Sequence, residues 1–285
     1  MLVRMKNSGF IVAGLVLLAS IVSMPLQAEE KNATPIRFGS VAMDIPAVMH
    51  KRLTPLTKYL SEKLQRPVIL VLSPNMGDAI DNVAKGKVDL GYLTPVAYLK
   101  SHDKGNTKLV AKTVTNKKAS FQLMIVVRED SPIKTVEDLA GKSFAFGDKA
   151  ALLQRAVVAG ANMPLEKLGS YSFIGHYDNI VRGVLNKDFD AGILKDTKAF
   201  KWKDKGIRIL YSSPALPPYN VTASNSLDKE TFLALQEIFL QLDVNNPEQS
   251  RVIKALSSKY DGFASTSDEE YDVIRKLISP FLKEK

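Results

Sequence analysis

One phrase occurs twice in this chain. Lys87-Val88-Asp89-Leu90-Gly91-Tyr92-Leu93 returns 101 residues later as Asp188-Phe189-Asp190-Ala191-Gly192-Ile193-Leu194. In both copies a short amphipathic helix and a basic turn lead into apolar–Asp–apolar–Gly–apolar–Leu, which reads as a strand. Strands alternating with helices surround each copy, as βαβ units in a mostly parallel sheet would require.

The alternation can be followed residue by residue. Ile36-Arg37-Phe38-Gly39 reads as a strand, and Pro46 opens a helix carrying Leu53, Leu56, Leu60 and Leu64, which Pro55 should kink or restart. Val68–Leu72 is a continuous apolar run, as in a strand buried on both faces. Met76–Lys85 is a short helix, and Thr94-Pro95 reads as the cap and first residue of another. In the second half, Thr135–Leu139 is a capped turn closed by Gly141, Ser143–Gly147 a strand and Asp148–Ala159 a helix. Tyr171–Ile174 and Asn179–Leu185 then repeat strand and helix.

Each copy of the phrase is therefore assigned its own lobe. Residues 29–127 form the first part of lobe 1, 128–216 form lobe 2, and 217–285 return to lobe 1. Phe121–Val127 is an apolar strand before the first crossing, and Pro217–Thr222 an extended return. Helices follow over Asp228–Asp243, Pro247–Ser257 and Glu269–Leu282. Two crossings imply a hinge and a cleft between the lobes. At 285 residues the chain is long enough for one core to divide in this way.

The first 28 residues stand apart. Arg4 and Lys6 precede an almost wholly apolar stretch, Phe10–Val22, and Pro25-Leu26-Gln27-Ala28 ends it before Glu29-Glu30-Lys31. This is the pattern of a cleavable secretory signal, with an apolar run shorter than the ~20 residues that span a bilayer. The expected location is the periplasm. Zero Cys excludes thiolate metal sites, iron–sulfur clusters and thiol nucleophiles, and three His leave little room for an all-histidine metal site. The formal charge of +9 comes from scattered lysines. The densest cluster, Lys195, Lys198, Lys201, Lys203 and Lys205, reads as a solvated basic face with a modest pull on anions, not as a nucleic-acid surface.

Ser101-His102-Asp103-Lys104 and Ser131-Pro132-Ile133-Lys134 have the Ser-x-x-Lys spacing of penicillin-recognising enzymes. The companion Ser-Asp-Asn and Lys-Thr-Gly motifs are absent, and Ser131 precedes a proline and is extended. No His-Glu-x-x-His, Gly-x-Ser-x-Gly or Gly-rich phosphate loop occurs, so the sequence argues against an enzyme.

Several runs together carry a resemblance. They are Phe38-Gly39 with Pro46, Gly86 through Pro95 with Tyr98, Asp130-Ser131-Pro132-Ile133, Val136 through Asp148, Gly175-His176-Tyr177-Asp178, and Asp188 through Gly192. The chain resembles the periplasmic phosphate/phosphite/phosphonate-binding proteins of ABC importers, which have the two-lobed α/β fold of type II periplasmic binding proteins. That resemblance implies a small anionic or zwitterionic solute, no cofactor, a monomer, and an inner-membrane ABC permease as partner. The alternative is a ligand-sensing protein read by a membrane sensor kinase or cyclase.

Eight residues become candidates for ligand contact: Asp44, Tyr92, Thr94, Asp148, Lys149, Ala150, His176 and Asp190. Asp44 lies in the first strand–helix loop, where the family places a ligand-facing residue, and its charge favours an amine-bearing ligand or no contact. Tyr92 and Thr94 end the first copy's strand, as a core residue and a cap or as walls of the cleft. His176 sits where the family's His meets ligand, or merely caps the next helix. Asp190 starts the second copy's strand, to hold a turn or an amino group. The family usually follows Gly-Asp with a Ser-Thr-Ser-Gly-like run whose hydroxyls hold phosphonate oxygens. Here Lys149-Ala150-Ala151-Leu152 follows Asp148. Backbone amides and the Lys149 charge are left to attract an anion.

Overall fold

The computed structural model describes residues 1–2, 34–41 and 46–282. Most of the expected export segment, and Asp44, lie outside them.

Strand β1 (Ile36–Val41) is followed by α1 (Pro46–Leu64), β2 (Val68–Ser73), α2 (Met76–Ala84), β3 (Leu90–Leu93), α3 (Pro95–Gly105) and β4 (Lys108–Thr115). β1 pairs in parallel with both β2 and β3. Helix α1 runs through Pro55 without restarting, and buries Leu53, Leu56 and Leu60. An interior proline costs ~3 kcal/mol, and three leucines buried at ~1.5–3 kcal/mol each outweigh it. Asn75 caps α2, and Thr94 caps α3 by accepting from the Ala97 N–H at 3.3 Å, with Pro95 in the first turn as expected. β2 is not buried on both faces: it is the outer strand of its sheet, and Ile69 is 46% exposed. A short apolar run does not distinguish an edge from a centre.

The chain then builds a second sheet with β5 (Leu123–Arg128), β6 (Ser143–Phe146), α4 (Leu152–Gly160), β7 (Ser170–Phe173), α5 (Tyr177–Leu185), β8 (Ala191–Lys195), α6 (Asp196–Trp202) and β9 (Ile207–Ser212). It returns as β10 (Asn220–Ala223), α7 (Lys229–Leu240), α8 (Pro247–Leu256), β11 (Tyr260–Ala264) and α9 (Asp272–Leu282). The strand orders are β11-β4-β10-β3-β1-β2 and β7-β6-β8-β5-β9. The two crossings bond to each other. Phe121 N–H donates to the Leu216 carbonyl at 2.9 Å, and Leu216 N–H to the Phe121 carbonyl at 2.8 Å.

Both sheets are mixed, which corrects the mostly parallel expectation. β10 lies antiparallel between β3 and β4, and β5 antiparallel between β8 and β9. The chain crosses at the carboxyl ends of the parallel strands, so each strand that enters a sheet from a crossing must run back the other way. The strands β4, β9 and β11 and the helix α6 carry no expectation above. Helix α9 does not join α7 and α8 on the first sheet. Its Ile274 and Ile278 share a core with Phe144, Phe146 and Val157 of the second.

Candidate functional site

The repeated phrase is built for architecture. The Asp89 carboxylate accepts from the Arg37 backbone N–H at 2.7 Å and from the Arg37 guanidinium at 2.9 and 3.0 Å, fastening β3 to β1. Burial alone would raise this carboxyl, but the Arg37 hydrogen bonds outweigh it and hold it below its ordinary value. Asp190 repeats the device in the second sheet, where its Oδ2 accepts from the Ser143 N–H and Ser143 Oγ–H, both at 2.9 Å. In each case the Asp starts one strand and grips the amide that starts or lies near the start of its parallel neighbour. Asp190 is thus at the amino end of β8. Ligands of open α/β sheets bind outside the carboxyl ends.

At those carboxyl ends the residues differ in kind. Tyr92, at the end of β3, is 5% exposed, and its hydroxyl bonds that of Tyr260 at 2.7 Å. Its ring stacks on Tyr219, with centroids 5.2 Å apart and planes at 25°. Tyr219 comes from the return crossing and Tyr260 from the start of β11. With Met49 and Arg52 of α1 and Lys254 of α8, these three phenols line a cavity of about 510 Å³. Burial pushes all three phenols above the ordinary tyrosine value, so they remain protonated donors. Tyr177, the first residue of α5 on the second sheet, is near enough to raise Tyr219 further, and the Gln154 side chain reaches its phenol.

Two lysines add charge here. Lys195 ends β8 half-buried, its Nζ 4.8 Å from the centre of the Phe121 ring at the crossing. Burial pushes this ammonium below its ordinary pKa, Asp196 opposes the shift, and the charge of Lys259, in the turn before β11, adds to it. The basic cluster is therefore not uniformly solvated. Lys195 faces the crossing, and Lys198 pairs with Asp178 at 2.7 Å, while Lys201, Lys203 and Lys205 are exposed.

The loop after β6 departs from expectation. Helix α4 begins at Leu152 and not at Asp148, because Asp148 closes a turn on itself. Its Oδ1 accepts from the Ala150 N–H at 2.7 Å, and its carbonyl from the Ala151 N–H at 2.9 Å. Gly147 N–H is taken by Gln154 Oε1 at 2.8 Å. Several amides at the start of this loop, where an oxyanion would bind, already have partners, one of them a carboxylate. Asp148, Lys149 and Ala150 are all exposed. His176 is also exposed; it caps α5 through its backbone carbonyl, which accepts from Asn179 and Ile180, while its ring makes no cap bond. Thr94 is half-buried, with its hydroxyl oxygen on α3.

Of the seven candidates among the described residues, Tyr92 joins the aromatic cluster and Asp190 stands at the far strand end. Thr94, Asp148, Lys149, Ala150 and His176 lie on loops at the near end. Tyr219, Tyr260, Tyr177 and Gln154 were not singled out by the sequence, and Lys195 only as one of a solvated basic cluster, because each takes its place only when separate segments meet. Both Ser-x-x-Lys serines are buried in structural bonds: Ser101 Oγ donates to the Tyr98 carbonyl at 2.8 Å, and Ser131 Oγ accepts from the Ile133 N–H at 3.3 Å.

Known proteins share this fold. XAC2383 from Xanthomonas citri, in a structure bound to ATP, superposes with a TM-score of 0.72 at 17% identity, over 88% of this chain and 98% of its own. PhnD1 from Prochlorococcus marinus, in complex with methylphosphonate, gives 0.67 at 18% identity over 87% and 98%. A binding component of an ABC phosphonate transporter from Pseudomonas aeruginosa gives 0.64 at 21% identity over 86% and 85%. These likenesses establish the fold. A family model for the periplasmic phosphonate substrate-binding protein of ABC transporters matches residues 38–271, most of the sequence. The chain belongs to the periplasmic phosphonate-binding family of ABC-transporter substrate-binding proteins.

Proposed function

We propose that this protein captures a small oxyanion-bearing solute at the carboxyl ends of its parallel strands and delivers it to an inner-membrane ABC permease. The observation that carries the reading is Lys195, half-buried at the carboxyl end of β8 beside Phe121 of the crossing, at the same strand ends as the stacked Tyr92 and Tyr219. Positive charge in a partly dehydrated crevice attracts anions more strongly than the same charge in water. Methylphosphonate and ATP, held by two proteins of this fold, both present phosphoryl oxygens.

Closure of the lobes, the sheet of β1–β4, β10 and β11 against the sheet of β5–β9 with α9, would bring the loops at 148–150 and 176 toward Tyr92 and Tyr219, hinging where Phe121 and Leu216 pair. The permease would read the closed form. Residues 1–28 would direct export to the periplasm and be removed, leaving Glu29 at the amino terminus of a monomer. Mass spectrometry of the exported protein and its elution volume check those two points.

Thermal denaturation with phosphate, phosphite, methylphosphonate, aminoethylphosphonate and amino acids tests the solute class. A ligand at a hundred times its Kd stabilises by ~2.7 kcal/mol, or roughly 5–10 °C for a chain of this size. If no oxyanion raises Tm at millimolar concentration, the solute assignment fails. The self-capped loop at Asp148 favours a second reading, in which a membrane sensor reads the shape of the protein. Loss of solute uptake on deleting the gene supports import; unchanged uptake with an altered signalling response supports the sensor.

A further inference from the structure

The cavity beside Tyr92 is too large for a compact oxyanion. At about 510 Å³ it exceeds by many times the ~30 Å³ that one water occupies in the liquid, and it falls within the ~300–1,000 Å³ of sites for sizeable organic ligands. Methylphosphonate, a handful of non-hydrogen atoms, would leave most of it to water.

Its walls also have a chemical bias. The stacked Tyr92 and Tyr219 and the bonded Tyr260 form a phenolic surface whose rings hold one another. Met49 and Leu53 supply an apolar side. Of the two cations that line it, Arg52 and Lys254, the second is engaged: Lys254 Nζ donates to the Tyr260 carbonyl at 2.6 Å and to Asp261 at 3.3 Å. The wall is therefore suited to a flat organic body, and Lys195, beside Phe121 at the crossing, to an anionic end.

Resting on the reading above, we infer that the solute is an organic anion whose planar or aromatic body seats against Tyr92, Tyr219 and Tyr260, with its oxyanion directed to the crossing. Aromatic stacking and displacement of water from the phenolic wall should favour such a solute over its methyl counterpart.

Phenylphosphonate and methylphosphonate share one head group and differ only in the body, so titration calorimetry with both isolates the claim. The full exported chain should bind phenylphosphonate at least about tenfold tighter. Two variants locate the effect. Ser258→Trp fills the cavity from its exposed rim, and Tyr219→Ala removes one stacking face; each should erase most of the preference. Ser258 is exposed, so its variant remains informative if loss of Tyr219 impairs folding. Equal affinities, or tighter methylphosphonate binding, overturn the inference and leave oxyanion capture standing. A preference that survives both variants overturns the assigned position. Binding of neither compound overturns this inference, and the solute assignment falls with it only if phosphate and phosphite also leave Tm unchanged.

Discussion

Replacing Asp190 by Ala separates architecture from recognition. Its carboxylate holds two donors of Ser143, the backbone N–H and the hydroxyl, both at 2.9 Å. Hydrogen bonds to a charged group contribute ~1.5–3 kcal/mol each when buried, and this pair is half-exposed, so a loss of about 3 kcal/mol is expected. For a chain of this size each kcal/mol moves Tm by ~2–4 °C, which gives a fall of about 6–12 °C. Ligand binding should hardly change. Five strand residues at ~3.3 Å each put Asp190 about 16 Å from Lys195, beyond the ~8 Å over which charges are felt in physiological salt. The assay is a pair of measurements on one preparation: calorimetric Tm of the empty protein, and the Kd of whichever phosphonate binds the parent. Asp190→Asn, which retains an acceptor oxygen, should recover part of the lost stability. A Tm equal to the parent's with affinity weakened tenfold or more would show that Asp190 meets ligand and that its grip on Ser143 is incidental.

Three further outcomes follow from the same geometry. Asp89 and Asp268 are both subject to burial that would raise them, yet their hydrogen bonds hold them below the ordinary carboxylate value. Their stabilisation is complete above about pH 4 and is lost as pH falls through the lower folded values. A plot of Tm against pH should therefore decline below about 4, and Asp89→Asn should lower the neutral plateau while making the acid decline shallower; an unaltered profile contradicts the role of Arg37. Lys195, pushed down by burial, attracts an anion only while protonated, so oxyanion affinity should fall as alkaline pH passes through its lowered pKa, earlier than for an ordinary lysine. Lys195→Gln should weaken oxyanion binding about tenfold or more at neutral pH and abolish that alkaline fall; affinity equal to the parent's removes Lys195 from the site. Asp148→Asn keeps an oxygen for the Ala150 N–H but removes a negative charge from the loop, which should tighten oxyanion binding up to about fivefold. Unchanged affinity would mean that this loop stays clear of the anion when solute is bound.

The amino-acid order by itself determined what depends on near neighbours. Thr94 and Pro95 start α3, Asn75 starts α2, and the alternation of strands and helices is visible because each needs only a few consecutive residues. The repeated Asp-x-Gly phrase marked real strands, but it could not say that its carboxylates face the amino ends, since Arg37 and Ser143 are about fifty residues away from them in the chain. Asp148 looked like the start of a helix and instead capped its own loop, because its short carboxylate competes locally for the amides. Lys195 belonged to a run of solvated lysines until β8 carried it to the crossing beside Phe121. Tertiary structure alone decided the antiparallel entry of β5 and β10, the return of α9 to the second sheet, and the meeting of Tyr92, Tyr219 and Tyr260. No local pattern encodes these, for a cavity wall drawn from three distant segments exists only where the hydrogen-bonded sheet and its buried apolar core bring them together.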